Sequence, residues 1–369
     1  MKVNTIYQGN ALNIINSFPE NSIDMIITSP PYWGLRSYES EDIVWDCDCE
    51  HEHEWKTEKG IRSSWGNKET LETQKQGTNR GANSNVDALV KESSFCSKCP
   101  AWKGSLGLEP TFDLYIKHLT DIFESSKRVL KNTGTLWVVI ADTYASSRPM
   151  GTSDNGFYKS TIGEDSYANS THGFDFGRSG KNSNVGLQTN SRKGRGKSGN
   201  GVQNKSLIGI PFRFAIEMIN RGWIFRNDIH WFKPNCMPES VQDRFTRDHE
   251  YVFFFSKRRK YYFDKQLELT KDMKSTRNKR TTWKIPTAQF RGNSDGNHYA
   301  VYPEALIETP IKAGCREYGI VLDMFMGAGT TAIECIKQNK FYVGIDVSEK
   351  YVNFANERIR SFKNKNNVM

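Results

Sequence analysis

The fold is decided by Ile320–Val347, "IVLDMFMGAGTTAIECIKQNKFYVGIDV". An apolar run, "IVLDMF", meets a glycine-rich turn, "MGAGT"; "TAIECIKQNK" follows with helical composition, and "FYVGIDV" returns to a β-branched, aromatic strand. Strand, helix and strand in so short a span make a βαβ unit with parallel strands, and a further helix is expected from Ser348. In such a unit the ligand lies beyond the carboxyl ends of the strands. Gly327 and Gly329 let backbone approach a ligand closely, and Asp346, ending the second strand, stands where α/β nucleotide-binding folds put an acid on ribose hydroxyls. Turns of this kind also occur for packing alone. The spelling is not G-x-G-x-x-G, because Thr331 or Ala332 occupies the place of the third glycine. A nicotinamide dinucleotide is therefore disfavoured, and a smaller adenosine cofactor fits at least as well.

Upstream the same alternation continues. "IDMIIT", Ile23–Thr28, is too short and β-branched for a helix and reads as a buried strand. "TFDLYIKHLTDIFESSKRVLKNTG" sets Tyr115, Leu119, Ile122, Phe123 and Leu130 at helical spacing, with Gly134 as the stop, and "TLWVVIAD" follows as a strand. Pro211 opens a helix that Gly222 closes, and strands are expected at "WIFRNDIHWF" and "EYVFFFS". Helices and strands in this order predict an α/β layer fold.

The exit from the first of these strands, "IDMIITSPPYWGLRSY" (Ile23–Tyr38), is chemically unusual. Pro30 and Pro31 fix two φ angles and remove two N–H donors, so the carbonyl at the strand end is aimed without a competing local bond. Beside the Ser29 hydroxyl it makes a pair of acceptors, and Tyr32 supplies a flat face. Two acceptors and a stacking ring suit an amino group on a heteroaromatic base. Such an amine is a poor nucleophile until its N–H bonds are drawn aside and its lone pair is freed from the ring. A rigid strand exit whose aromatics fill the core accounts for the motif equally well when it is taken alone.

The two stretches together resemble the amino-methylating DNA methyltransferases, which modify N4 of cytosine or N6 of adenine, in the circular order that puts the catalytic motif before the cofactor motif. The likeness extends through "GSLGLEPTFDLYIKHL", "RVLKNTGTLWVVIADTY", "HWFKPNCMPESV", "HEYVFFFSK" and "HYAVYPEALI". It implies a Rossmann-like S-adenosylmethionine-dependent methyltransferase fold, α/β and circularly permuted. It also implies that Ser29 and the Pro30 carbonyl hold the target amine, with Pro31 setting the turn and Tyr32 stacking on the base. Asp323, Phe325, Gly327, Gly329 and Thr330 match the S-adenosylmethionine loop and Asp346 the ribose acid. Tyr302, Pro303 and Leu306 match a block beside the methionine end of the cofactor. Where many relatives carry Gly-Asp near the adenine, this chain has Gly9-Asn10, a neutral amide. The expected reaction is direct methyl transfer to a base flipped out of duplex DNA. A serine at the first position of the motif favours N4-cytosine, with N6-adenine as the alternative. The intact motifs argue against a vestigial, non-catalytic site, and the basic aromatic segment and "KPN" block favour DNA over RNA or protein as substrate.

Charge and composition place the rest. The 369 residues carry a net charge of +9, and Lys257–Arg291 alone holds twelve basic against three acidic residues, interleaved with Tyr261, Tyr262, Phe263, Trp283 and Phe290. That pattern suits a DNA surface, so residues 256–297 are expected to be the target-recognition insertion. Gly151–Lys205 contains 11 Gly, 8 Ser and 7 Asn and is expected to be a mobile loop ending in a basic arm, "SRKGRGKSGNG". Residues 45–100 are polar and carry Cys47, Cys49, His51, His53, Cys96 and Cys99. Cys96-x-x-Cys99 has knuckle spacing, and Cys49 with His51 completes a four-coordinate structural zinc site, with Cys47 and His53 as competing ligands. The core is then expected from 1–44 and 101–150 (catalytic), 206–255 and 298–369 (cofactor). No apolar run reaches the length of a membrane span and no signal-peptide build opens the chain, so a cytoplasmic, prokaryotic or phage-encoded enzyme is expected. Double-stranded DNA is the expected partner, a cognate restriction endonuclease a candidate one, and the state monomer or homodimer.

Overall fold

The computed structural model describes residues 1–34, 43–47, 49–59, 90–145, 202–288 and 301–366. In chain order the elements are β1 (Thr5–Gln8), α1 (Ala11–Asn16), β2 (Ile23–Thr28), β3 (Ile43–Trp45), β4 (Trp55–Lys59), β5 (Val90–Cys96), β6 (Trp102–Gly104), α2 (Phe112–Val129), β7 (Leu130–Ile140) and α3 (Ile210–Asn220). There follow β8 (Ile224–Phe232), β9 (His249–Ser256), β10 (Leu267–Leu269), β11 (Thr276–Asn278), β12 (Thr282–Lys284), α4 (Glu304–Gly314), β13 (Ile320–Asp323), α5 (Thr330–Lys337), β14 (Phe341–Asp346) and α6 (Glu349–Asn366).

Eight strands make the central sheet in the order β1-β14-β13-β2-β7-β9-β8-β12. From β1 to β7 every pairing is parallel, whereas β9 runs antiparallel to both β7 and β8. Period-two alternation sends side chains to two cores. Ile23, Ile26, Leu136, Val138, Ile140, Phe253 and Phe255 meet α1, α2 and α3 on one face. Met25, Ile27, Trp137, Val139, Val252 and Phe254 meet α4, α5 and α6 on the other. This is the Rossmann-like α/β layering expected of a methyltransferase, with its two parts in permuted order: β2, early in the chain, lies between β13 and β7.

One local expectation is corrected. Gly134 does not stop a helix; α2 ends at Val129 and the chain passes directly into β7 at Leu130. A Cβ on Gly134 would lie 2.5 Å from Leu130 Cδ1, so the glycine serves strand packing. The Cys/His segment roots in a separate four-stranded sheet, β3-β6-β5-β4. Within the basic segment, β10 and β11 form a hairpin while β12 joins the edge of the central sheet beside β8. Most of the Gly/Ser/Asn-rich stretch lies outside the described residues. Among the described residues no helix is long and apolar enough to cross a membrane. None of the seven cysteines is in a disulfide.

Candidate active site

Parallel pairing of β2 with β13, Met25 opposite Val321 and Ile26 opposite Leu322, brings two loops to the same edge of the sheet. The first is Ser29–Tyr32, leaving β2; the second is Met324–Gly329, leaving β13. Asp323 ties them together. Its carboxylate is wholly buried: Oδ1 accepts from Thr28 Oγ1 at 2.6 Å and from the Phe325 amide at 3.1 Å, and Oδ2 accepts from Tyr302 at 2.9 Å and Thr331 Oγ1 at 2.5 Å. Burial pushes this carboxyl above the ordinary range, although all four donors pull the other way. Asp323 therefore fixes the residue before Ser29 relative to the glycine turn. Tyr302, expected near the cofactor, contributes its hydroxyl to this hub, and burial followed by the Asp323 charge raises its pKa well above the usual phenol value.

The glycines of the turn differ in purpose. Gly327 has φ +52°, and an added Cβ would meet only Phe325 O, at 3.9 Å, so its open side can face a ligand. Gly329 has φ +77° and packs on α6, where a Cβ would come within 3.0 Å of Ala355 Cβ. Arg358 of α6 holds the turn from behind, donating to Ala328 O and Thr330 Oγ1, each at 2.9 Å, and to Glu304 Oε1 at 3.0 Å. Asp346, at the end of β14, accepts from the Gly327 amide at 2.8 Å and the Ser348 amide at 3.0 Å. Burial, with the Asp323 charge adding to it, raises its pKa to about 6 against the pull of those two amides. Asn10 lies beside it: Gly9 N donates to Asp346 O, and Asn10 Oδ1 caps α1 by accepting from Leu12 N at 2.7 Å. Pro303 caps α4, Leu306 is wholly buried, and Phe325 packs on the core.

The Ser29–Tyr32 stretch is held from three sides. Tyr115 on α2 donates to Pro31 O at 2.8 Å, and Trp33 Nε1 donates to Glu109 O at 2.9 Å. Gly107, φ +93°, lies so close that an added Cβ would come within 3.2 Å of Tyr32 O. From the antiparallel strands, Glu250 of β9 accepts from the Tyr32 hydroxyl at 2.8 Å and pairs with Lys233, just past β8. Ser29 Oγ is 3.5 Å from the Tyr32 hydroxyl. Thr28, Arg358, Glu250 and Lys233 were not singled out by sequence reasoning. "HWFKPN" and "HEYVFFFSK" pointed to the last two only as blocks of resemblance.

A buried polar column links the Cys/His sheet to this loop. His118 is sandwiched between Trp45, centroids 4.5 Å apart, and Trp102, at 5.5 Å. Its Nδ1 is 3.0 Å from Glu109 Oε1 and its Nε2 is 3.3 Å from Asp46 Oδ2. Glu109 Oε2 in turn accepts from the Gly107 amide at 2.8 Å.

The six sulfur and nitrogen candidates for a metal do converge. Cys49, His51, His53 and Cys99 present ligand atoms within 4.8 Å of one another. Cys96 adjoins this group, its Sγ 3.7 Å from His51 Nε2. Cys49 and Cys99 sulfurs are 3.7 Å apart, and Cys99 Sγ is 3.7 Å from His53 Nδ1. Tetrahedral Zn–S bonds of about 2.3 Å set sulfurs about 3.8 Å apart, so the donor set and its spacing fit zinc. The Cys47 thiol beside it, with burial and Cys99 adding, pushes Cys49 up to about 12. Burial would raise Cys96 as well, but the His51 ring and the Lys98 amide outweigh it and bring it down to about 5.

Comparison with known proteins agrees with this layout. A family model described as DNA methylase matches residues 23–357. The Type II methyltransferase M.SmaI of Serratia marcescens is 32% identical over 357 residues, covering 96% of this chain and 90% of that protein. M.Cfr9I of Citrobacter freundii, also a Type II methyltransferase, is 31% identical over 357 residues, covering 96% and 87%. Among solved structures, the PvuII DNA methyltransferase, described as cytosine-N4-specific, shares the fold with a TM-score of 0.53 at 16% identity, covering 98% of this chain and 91% of that one.

Proposed function

The chain belongs to the N6/N4 DNA methylase family and is a DNA methyltransferase; we propose that it methylates the N4 amine of cytosine in duplex DNA with S-adenosylmethionine as donor. The observation that carries this is the junction at Asp323, which holds an amine-accepting loop and a glycine turn side by side on paired strands. The glycine turn fits an adenosyl cofactor: Gly327 leaves room for close approach, and the Asp346 oxygens, each engaged by one amide, keep lone pairs for ribose hydroxyls. When bound, S-adenosylmethionine supplies a methyl group activated by its sulfonium. The protein's part is placement. Tyr32 stacks the flipped base, whose extrusion costs roughly a few kcal/mol. Ser29 Oγ and the Pro30 carbonyl accept the two amine hydrogens and free the nitrogen lone pair. Ser29 at the head of the motif favours cytosine.

Zinc bound by Cys49, His51, His53 and Cys99 is a structural element that anchors the sheet carrying Trp45 and Trp102. Lys257–Lys284, with its exposed Tyr262 and Phe263, is a surface for the DNA backbone and base edges. A Type II modification enzyme acting in the cytoplasm beside a cognate endonuclease is the setting that fits. The decisive experiment incubates the enzyme with labelled S-adenosylmethionine and unmethylated bacteriophage DNA, digests to nucleosides and identifies the product by mass spectrometry. N4-methylcytosine is expected. N6-methyladenine alone refutes the choice of base.

A further inference from the structure

The catalytic rim contains a chain of hydrogen bonds whose direction is set at its far end. Ser29 Oγ donates to the Tyr32 hydroxyl at 3.5 Å, Tyr32 donates to Glu250 Oε2 at 2.8 Å, and Lys233 Nζ donates to Glu250 Oε1. The first distance is long, as hydrogen bonds of catalytic groups commonly are before substrate closes on them. Glu250 is 9% exposed and its partner Lys233 lies over the Trp231 ring, so the pair is sheltered and firmly placed at the antiparallel edge of the site.

A hydroxyl both donates and accepts, so nothing in Ser29 alone decides which it offers to an amine. The difference matters for the rate. A Ser29 O–H pointed at the amine would bind the nitrogen lone pair, the same pair that must attack the methyl carbon. An Oγ lone pair pointed at the amine instead draws an N–H aside and leaves the nitrogen pair free. A carboxylate salt-bridged to a lysine accepts and does not donate, so the Tyr32 proton must go to Glu250. The phenol oxygen is then left to accept, and it takes the Ser29 proton. We propose that Glu250 is a positioning residue which, through Tyr32, fixes Ser29 as a pure acceptor of the target amine. This rests on Ser29 holding the amine, and it holds whether the base is cytosine or adenine.

The test compares wild type, Glu250→Gln, Tyr32→Phe and the double variant, using tritiated S-adenosylmethionine and unmethylated bacteriophage DNA, with cofactor affinity measured separately by calorimetry. A glutamine amide can donate to Tyr32, which releases the chain's direction, and Tyr32→Phe cuts the chain while leaving a stacking ring. Each single variant is expected to lose at least about tenfold in kcat. Cofactor Kd and KM for DNA stay within about twofold. Because both act through one chain, the double variant loses no more than the worse single one. Glu250→Gln turning over within twofold of wild type overturns the inference, and so does a double variant whose loss is the product of the two. If circular dichroism shows Glu250→Gln unfolded, Tyr32→Phe decides alone, a rate within twofold of wild type being the refuting result. A wild-type enzyme that labels no base refutes the methyl-transfer assignment itself, and the role of Glu250 with it.

Discussion

Cofactor affinity should titrate with Asp346. The carboxyl ends β14 and is pushed up to about 6, chiefly by burial and further by the Asp323 charge, despite accepting from Gly327 and Ser348. Ribose hydroxyls donate to its ionised form, so affinity follows the ionised fraction. With a pKa of about 6, roughly a tenth is ionised at pH 5 and nearly all at pH 7.5, so Kd for S-adenosylmethionine should be about tenfold weaker at pH 5, or about 1.4 kcal/mol. Stability of the ligand-free protein moves in the opposite sense. The folded value lies above the ordinary 3.8, so between the two the native state binds more protons than the unfolded one. The contribution of this carboxyl is complete below about pH 4 and is lost as pH rises through 6, to a total of about 3 kcal/mol. Asp346→Asn removes the titrating group and should flatten both profiles, at the cost of leaving one of the two amides facing an NH2. Isothermal titration calorimetry and urea unfolding at pH 5, 6 and 7.5, at fixed ionic strength, measure both. A wild-type Kd that does not change with pH, or an Asp346→Asn protein with the same slope, refutes the assignment.

Three further perturbations test the scaffold of the site. Thr28→Val keeps the shape of the side chain but removes a buried donor to Asp323; urea unfolding should show a loss of about 1–3 kcal/mol, with turnover falling because the two loops are no longer tied. Arg358→Ala removes charge-assisted bonds to Ala328 O and Thr330 Oγ1, so stability should fall by about 2 kcal/mol and cofactor affinity should weaken, as chemical unfolding and calorimetry would show. Elemental analysis of protein purified without chelator should find one zinc per chain, and prolonged EDTA treatment should make the Cys/His segment the first site of protease cleavage; absence of zinc counts against the cluster.

What could be read in the sequence is what physics makes local. The short, β-branched or aromatic apolar runs "IDMIIT" and "EYVFFFS", the proline that opens α3 and the glycine turn before α5 each follow from composition or backbone restriction within a few residues. Gly134 misled because a glycine after an amphipathic run looks like a helix stop, whereas a strand-packing constraint from Leu130 set its place. Glu250, Lys233, Arg358 and the Glu109–His118 pair were not legible as site residues, since each acts through a partner brought near only by tertiary structure: Tyr32 and Glu250 are 218 residues apart in the chain. Charged residues in strands or helices look like ordinary surface until the fold buries them. Cysteine spacing picked out thiols and imidazoles that the fold does gather, but left open which of them belong together, because His51 and His53 are both within reach of the same sulfurs.

The permuted order has a consequence for how the site forms. The Ser29–Tyr32 loop stands beside the glycine turn because β2 is paired with β13, and the bond that locks them, Thr28 to Asp323, closes a separation of 295 residues. Contacts of that separation bear a large loop-closure cost and form late relative to local hairpins and helices. The antiparallel β8–β9 pair and α2 with β7 are closer in sequence, yet the bonds by which they orient the loop, Tyr32 to Glu250 and Tyr115 to Pro31, also span 218 and 84 residues. The rim is thus assembled from distant segments, with Asp323 tying the Ser29–Tyr32 loop to the glycine turn. Perturbing Asp323 should therefore disable cofactor binding and catalysis together, whereas perturbing Glu250 should separate them.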